Sequence, residues 1–380
     1  MPRPGRLSVG PIPVPRSAAT PPAQLLDVPL APPVIPPTSD AAPRHLTRLR
    51  DLSVDELGDL FDLSVRLRTR GTGAGERPLE GRTVGSLFFR GSLRTRVSME
   101  AAVHALGGQA INLSASSDFW DLEHDEGKVM DGPEPEHIKD AAAAVSSYVD
   151  ALAIRPELEE ADWARVRQDK ALIAWARFAQ VPVINMESAL WHPLQAMGDL
   201  LTIRDELGGF EGRKLTITWV RSPTPATPAP IHSLIDAGMR LGMHLTVAHP
   251  TGFGLDEKVL GQAREAGEAR GGQLAFVDEQ AAGLDGAEIV YARSWRAPET
   301  WNNPTLAASR RGKHAQSGDW SLTADKLAAT ANARFMHALP VRRNVEVTDE
   351  VLDGPLSRVQ AQAANRLHTQ EALLTRILRS

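Results

Sequence analysis

The chain has 380 residues, 42% hydrophobic and 23% charged, which suffices for two globular domains with an appendage. Its formal net charge of -5 is carried by intermixed acidic and basic residues with no broad basic face, so composition speaks against nucleic-acid and membrane-surface partners. With no cysteine, disulfides, thiolate metal sites and thiol catalysis are excluded; no apolar run approaches the ~20 residues that span a bilayer, no signal-peptide core opens the chain, and a cytoplasmic setting is expected.

Residues 1–44 are crowded with proline and hold no lasting period, so they are expected to form a disordered extension. From His45 onward, helical segments alternate with short apolar strands expected at 84–89, 109–113, 149–154, 181–185, 214–219, 243–248, 273–277, 287–291 and 334–337. That alternation predicts an α/β fold with parallel sheets built from right-handed βαβ units. The strands divide into two series near residues 187–192, which predicts two lobes, 45–190 and 191–359, with a cleft between them. Ligands of open α/β sheets bind beyond the carboxyl ends of strands, so chemistry is expected there. The sequence LRTR occurs at 67–70 and 93–96, but only the second follows a strand; the first reads as a solvated basic helix end. The proline cluster Ser222 to Pro230 reads as a stiff connection between a strand and a helix.

Three strand ends carry residues suited to chemistry. At Phe88-Phe89-Arg90-Gly91-Ser92-Leu93-Arg94-Thr95-Arg96 a strand turns into a helix, aiming free backbone N–H groups and the helix dipole at one point. Ser92 and Thr95 add hydroxyls and Arg94 a forked cation, so a phosphate is expected there. The competing reading is a helix capped by Ser92 with its arginines facing water. At Met186 to Gln195 a second strand end opens a helix; Pro193 suits its first turn and leaves His192 beside free N–H groups, where a neutral imidazole can donate to a carbonyl oxygen. A plain helix start is the alternative. At Phe335 to Asn344 a third strand end exposes backbone carbonyls beside Arg342 and Arg343, a pair that either holds a carboxylate or faces solvent. Ala363-Ala364-Asn365-Arg366 begins the last helical stretch.

Taken in order, Ser-x-Arg-Thr-Arg, His-Pro-x-Gln, His-x-Leu-Pro and the late Ala-Asn-Arg resemble the aspartate and ornithine carbamoyltransferase family from about residue 46 to the C-terminus. Phe119-Trp120, Val129 to Gly132, Glu136 to Ile138, Val183 to Glu187 and Leu339 to Asn344 are most similar to the branch that acts on N-acylornithines. The resemblance implies two domains, each a parallel sheet flanked by helices, the first completed by a helix over 360–380. It also implies a homotrimer with active sites between subunits, and a knotted second domain. It implies that carbamoyl phosphate meets Ser92, Leu93, Arg94, Thr95, Arg155, His192, Pro193, Leu194, Gln195, Ala338, Leu339 and Arg366, with Trp120 reaching in from a neighbour. Glu187, Ser222, Arg293, Arg342 and Pro135 would serve the acceptor, without metal or organic cofactor.

Within the branch, an acidic residue at the position of Pro135 goes with acetylornithine and proline with succinylornithine, so N-succinyl-L-ornithine is the expected acceptor and N-acetylornithine the alternative. No Ser-Met-Gly segment of the kind ornithine-specific members use is present, only Ala292-Arg293-Ser294-Trp295. The chain departs from the branch at Ser222 for histidine, Arg293 for lysine, Ala338 for cysteine and Glu346 for a modified lysine. Those departures motivate a second class of reading, a non-catalytic carbamoyltransferase-like subunit. A third, a nucleotide-binding or methyltransferase-type α/β protein, lacks the Gly-rich loop it needs.

Overall fold

In the computed structural model, residues 45–70, 77–115, 117–159, 161–316 and 319–378 are described. The expected extension at 1–44 lies outside them. The strands are β1 (Thr83–Phe88), β2 (Gln109–Ser114), β3 (Leu122–Glu123), β4 (Glu136–His137), β5 (Ala151–Arg155), β6 (Val183–Asn185), β7 (Lys214–Trp219), β8 (His244–Ala248), β9 (Gln273–Val277), β10 (Ile289–Arg293) and β11 (Arg334–Met336). Each of the nine expected strands is found, with ends displaced by no more than two residues. The small β3–β4 pair is additional; strands of two residues are too short to leave a period in the sequence.

Both main sheets are parallel. The first has strand order β2-β1-β5-β6 and the second β11-β10-β7-β8-β9. Strand order therefore reverses between β1 and β5 in one sheet and between β7 and β10 in the other, the positions where a crevice opens at the carboxyl edge of a doubly wound sheet. In register, Phe88 lies beside Arg155 and Trp219 beside Arg293. The two switch points thus deliver the Ser92 turn, Arg155 and Arg293 to strand ends.

Two helices join the lobes. Helix Pro193–Leu207 is buried without interruption from Pro193 to Ile203, although it carries Gln195, Asp199 and Thr202. It packs against Val359–Leu378, which also covers Val54–Arg70 and Arg94–Ala105. A second junction is polar: Trp163 Nε1 and Arg167 Nη2 donate to the two carboxylate oxygens of Asp256 at 2.6 and 2.7 Å. That carboxylate also caps helix Glu257–Glu268. Arg68, expected to be a solvated helix end, instead grips Asp205 at 2.6 Å and Asn365 at 2.8 Å, a correction whose cause is the helix Val359–Leu378 returning beside it. The proline segment is tied to the chain after β10, where the Arg296 N–H donates to the Ala226 carbonyl at 2.9 Å. No helix among the described residues is long and apolar enough to cross a membrane.

Candidate active site

A cleft of about 970 Å³ opens between the carboxyl edges of the two sheets. Of the residues expected there, Ser92, Leu93, Arg94, Thr95, Arg155, Glu187, His192, Gln195, Arg293, Ala338, Leu339 and Arg366 line it.

The wall formed by the first lobe starts where β1 ends. Helix Arg94–Ala105 begins without a side-chain cap, so Ser92 is not capping it, and the first intrahelical bond runs from the Val97 N–H to the Leu93 carbonyl at 3.1 Å. The preceding amides are those that a helix start leaves without an intrahelical partner. Thr95 is buried and its Oγ1 accepts from Arg366 Nη2 at 2.6 Å. Arg94 makes no ion pair among the described residues; burial, then the nearby Arg293 and Arg155 cations, pull its pKa down. The neighbouring Arg96 lies over the Phe88 ring at 4.4 Å and is directed away from this cluster.

Arg155 Nη2 meets Glu187 Oε2 at 2.6 Å, while Thr227 Oγ1 donates to Glu187 Oε1 at 2.8 Å. Burial would raise the Glu187 carboxyl, but the Arg155 and Arg90 guanidiniums override it and hold the group well below the usual carboxylate range. Its backbone sits at φ 127°, sterically costly for a residue with a Cβ. The surroundings enforce that conformation: the Glu187 N–H donates to Asn185 Oδ1 at 2.9 Å and its carbonyl accepts from Arg90 Nη2 at 2.6 Å.

His192 is buried at the start of its helix, where its N–H donates to Ser233 Oγ at 2.8 Å. Burial holds its imidazole neutral, well below the ordinary histidine pKa. Arg366 is likewise buried, its pKa drawn down to about 10 chiefly by that burial. Gly198 makes room for it: a Cβ there would stand 2.7 Å from Arg366 Cγ.

From the second lobe, Arg293 Nη1 donates to the Leu339 carbonyl at 3.4 Å. Leu339 has φ 48° and precedes a cis proline. The Leu339 N–H donates to His337 Nδ1 at 2.9 Å, which leaves Nε2–H of His337 to donate to Glu346 Oε2 at 3.3 Å.

Six expected site residues do not line this cleft. Pro193 and Leu194 are buried within their helix, and Leu194 packs into the hydrophobic core. Ser222 is buried with its Oγ 3.5 Å from the Thr224 carbonyl, and Arg342 donates to Thr224 Oγ1 at 2.8 Å. Pro135 is exposed on the loop before β4, and Trp120 is 70% exposed and outside its own chain's cleft. Sequence reasoning had left out Arg90, Thr227 and Arg296, which do line the cleft. Arg90 stood in the quoted motif and Thr227 in the proline cluster, but nothing local said that both would converge on Glu187.

Arg94 and Arg293, which make no ion pair among the described residues, stand beside a neutral imidazole and a backbone carbonyl, an arrangement that can bind a small dianion and stabilise charge developing on a carbonyl oxygen. Family models agree with that chemistry. The carbamoyl-phosphate-binding domain of aspartate/ornithine carbamoyltransferase matches residues 44–205, and the aspartate/ornithine-binding domain matches residues 228–377. The chain belongs to the aspartate/ornithine carbamoyltransferase family.

It is 33% identical over 338 residues to N-acetylornithine carbamoyltransferase of Xanthomonas campestris pv. campestris, covering 88% of this chain and 98% of that one. To N-succinylornithine carbamoyltransferase of Bacteroides fragilis it is 33% identical over 301 residues, 78% of this chain and 87% of the relative. A solved acetylornithine transcarbamylase in complex with acetylcitrulline superposes with a TM-score of 0.83 at 33% identity, covering 88% of this chain and 98% of that one. The chain is thus a carbamoyltransferase of the N-acylornithine branch, with the two-domain α/β architecture of that branch's solved members.

Proposed function

We propose that the protein moves the carbamoyl group of carbamoyl phosphate onto the side-chain amine of N-succinyl-L-ornithine, giving N-succinyl-L-citrulline and phosphate. The observation that carries this reading is the gathering of Arg94, Thr95, Arg155, His192, Gln195 and Arg366 around one cleft with Arg293 and Leu339 opposite. Cations and the free amides of helix Arg94–Ala105 hold the phosphate. Thr95, Arg155 and neutral His192 face the carbamoyl oxygen, and each such preorganised donor is worth ~3 kcal/mol of barrier. The neutral δ-amine attacks the carbamoyl carbon and a C–N bond forms as negative charge builds on the oxygen. Collapse of the tetrahedral intermediate breaks the C–O bond to phosphate, which leaves with the proton lost by the amine. Glu187 holds the amino-acid end of the acceptor and the Leu339 carbonyl orients its amine. Side-by-side binding supplies the proximity advantage of a two-substrate site.

For the succinyl group, the support is Pro135, which puts no carboxylate at its own position between Glu134 and Glu136, and Arg293, which makes no ion pair among the described residues and is available to a second acceptor carboxylate. The names of the acetylornithine relatives favour acetylornithine as the second reading. A homotrimer in the cytoplasm belongs to the same proposal. The support for the trimer is the exposure of large apolar side chains on the first lobe, Leu93, Val97, Ile111 and Trp120 among them. Ureido product is measured with purified protein, carbamoyl phosphate and, in parallel, ornithine, acetylornithine and succinylornithine. Product with succinylornithine first is expected; a preference for acetylornithine would reassign the acceptor, and silence on all three would favour a non-catalytic subunit.

A further inference from the structure

Beneath the cleft floor lies a polar cluster of which the chemistry above uses only Gln195. Asp199 is fully buried in helix Pro193–Leu207. Its Oδ1 accepts from Gln195 Nε2 at 2.7 Å and from Gln362 Nε2 at 2.6 Å, and its Oδ2 accepts from Tyr291 OH at 3.0 Å. These donors come from its own helix, from helix Val359–Leu378 and from β10, so one carboxylate joins both lobes. An ionised carboxylate only accepts, which dictates the orientation of both glutamine amides: each must turn its NH2 inward. The opposite end of each amide is thereby aimed. Gln362 Oε1 accepts the His337 N–H at 2.9 Å, anchoring the strand end that presents Leu339. Gln195 lines the cleft with Oε1 as its remaining polar atom.

We propose that Asp199 is a positioning residue: it holds Gln195 with Oε1 toward the cleft, where the N–H of an amino group can satisfy it and a methyl group cannot, and so makes the site read the amino group of carbamoyl phosphate. An inward-facing carbonyl against the Asp199 oxygens would set two acceptors at contact distance, so the flipped amide is disfavoured while the carboxylate is ionised. Burial raises Asp199 to about 6, which leaves it ionised at neutral pH. The same carboxylate couples amino-group recognition to the acceptor side through Gln362 and His337. The proposal rests on carbamoyl phosphate being the donor.

Acetyl phosphate, which has a methyl group in place of the amino group, separates this role from general structural support. Binding of carbamoyl phosphate and of acetyl phosphate to the intact protein is measured by calorimetry for wild type, Asp199→Asn and Asp199→Leu. Wild type should prefer carbamoyl phosphate by about tenfold or more, since a site built to accept a hydrogen bond rejects an analogue that cannot donate it. Asp199→Asn can still turn a carbonyl to both glutamines and should keep that preference. Asp199→Leu should weaken carbamoyl phosphate about tenfold and acetyl phosphate by no more than about twofold, abolishing the preference. Equal weakening of both ligands, or a preference retained in Asp199→Leu, overturns the positioning role. Should that variant fail to fold, Asp199→Ser, whose short hydroxyl cannot reach both amides, is held to the same outcomes. Wild type that binds neither ligand would instead refute the donor assignment.

Discussion

At the scale of single residues, the cleft is a problem in unbalanced charge. Glu187 neutralises Arg155 and orients Arg90, whereas Arg94 faces Arg293 and Arg155 with no carboxylate of its own. Such an arrangement is tolerable when a dianion occupies the space between the cations. Arg94→Ala should therefore weaken carbamoyl phosphate binding by on the order of 2 to 5 kcal/mol, as for a truncated buried charge contact. Calorimetry checks this, and unchanged affinity would remove Arg94 from the site. That Ser92, Arg94 and Thr95 line the cleft was legible in the sequence because a strand-to-helix turn is local. Gln195 lies one helical turn from Asp199, but its other partners Tyr291 and Gln362 are 92 and 163 residues away, so no window along the chain could have revealed the whole cluster.

At the scale of elements, the helices Pro193–Leu207 and Val359–Leu378 approach closely because Gly198 has no side chain. A Cβ there would also lie 3.3 Å from the Arg366 backbone nitrogen. Gly198→Ala is expected to cost about 1–3 kcal/mol of stability through overpacking, and to move Arg366 from Thr95, weakening carbamoyl phosphate as well. Denaturant unfolding and calorimetry measure the two effects on one variant. At the lobe junction, buried His232 lies 3.3 Å from the Leu190 carbonyl through Nδ1 and accepts from the Asp256 N–H at 3.3 Å through Nε2. Burial, partly countered by Asp256, lowers its pKa to about 4. Between pH 6.5 and 4 the unfolded chain binds this proton and the folded protein does not, so stability falls as pH falls, by up to about 3 kcal/mol from this group. His232→Gln, which can serve both neighbours without titrating, should flatten the difference between urea midpoints at pH 7 and pH 5 relative to wild type.

At the scale of the whole molecule, a shared active site has a distinctive signature. In the proposed trimer, Trp120 serves the neighbour's cleft while Arg94 serves its own, so Arg94→Ala and Trp120→Ala chains fail for different reasons. Chains of the two variants, each nearly inactive alone, should regain about a quarter of wild-type activity when unfolded and refolded together in equal amounts, because random closed rings pair an intact Arg94 with an intact Trp120 at that frequency. Recovery no greater than the sum of the separate activities would show that each chain's site is its own. The exposure of Trp120 at 70% is the feature that such an interface would cover.

The alternation of strands and helices, the two parallel sheets and the strand-to-helix turn at Ser92 could be read from the sequence because each depends on the period or chemistry of a few neighbouring residues. On the acceptor side the structure adds what no motif carries: Ser222 is buried and Arg342 donates to Thr224, and neither lines the cleft within the described residues. Strand order alone brings β10 beside β7 and delivers Arg293 to the opening, and packing alone commits Gln195, Gln362 and Tyr291 to Asp199. Local sequence determined which groups could bind an anion. Tertiary structure decided which of them share one space, because burial and hydrogen-bond satisfaction among residues far apart in the chain are settled only when the sheets and helices close around them.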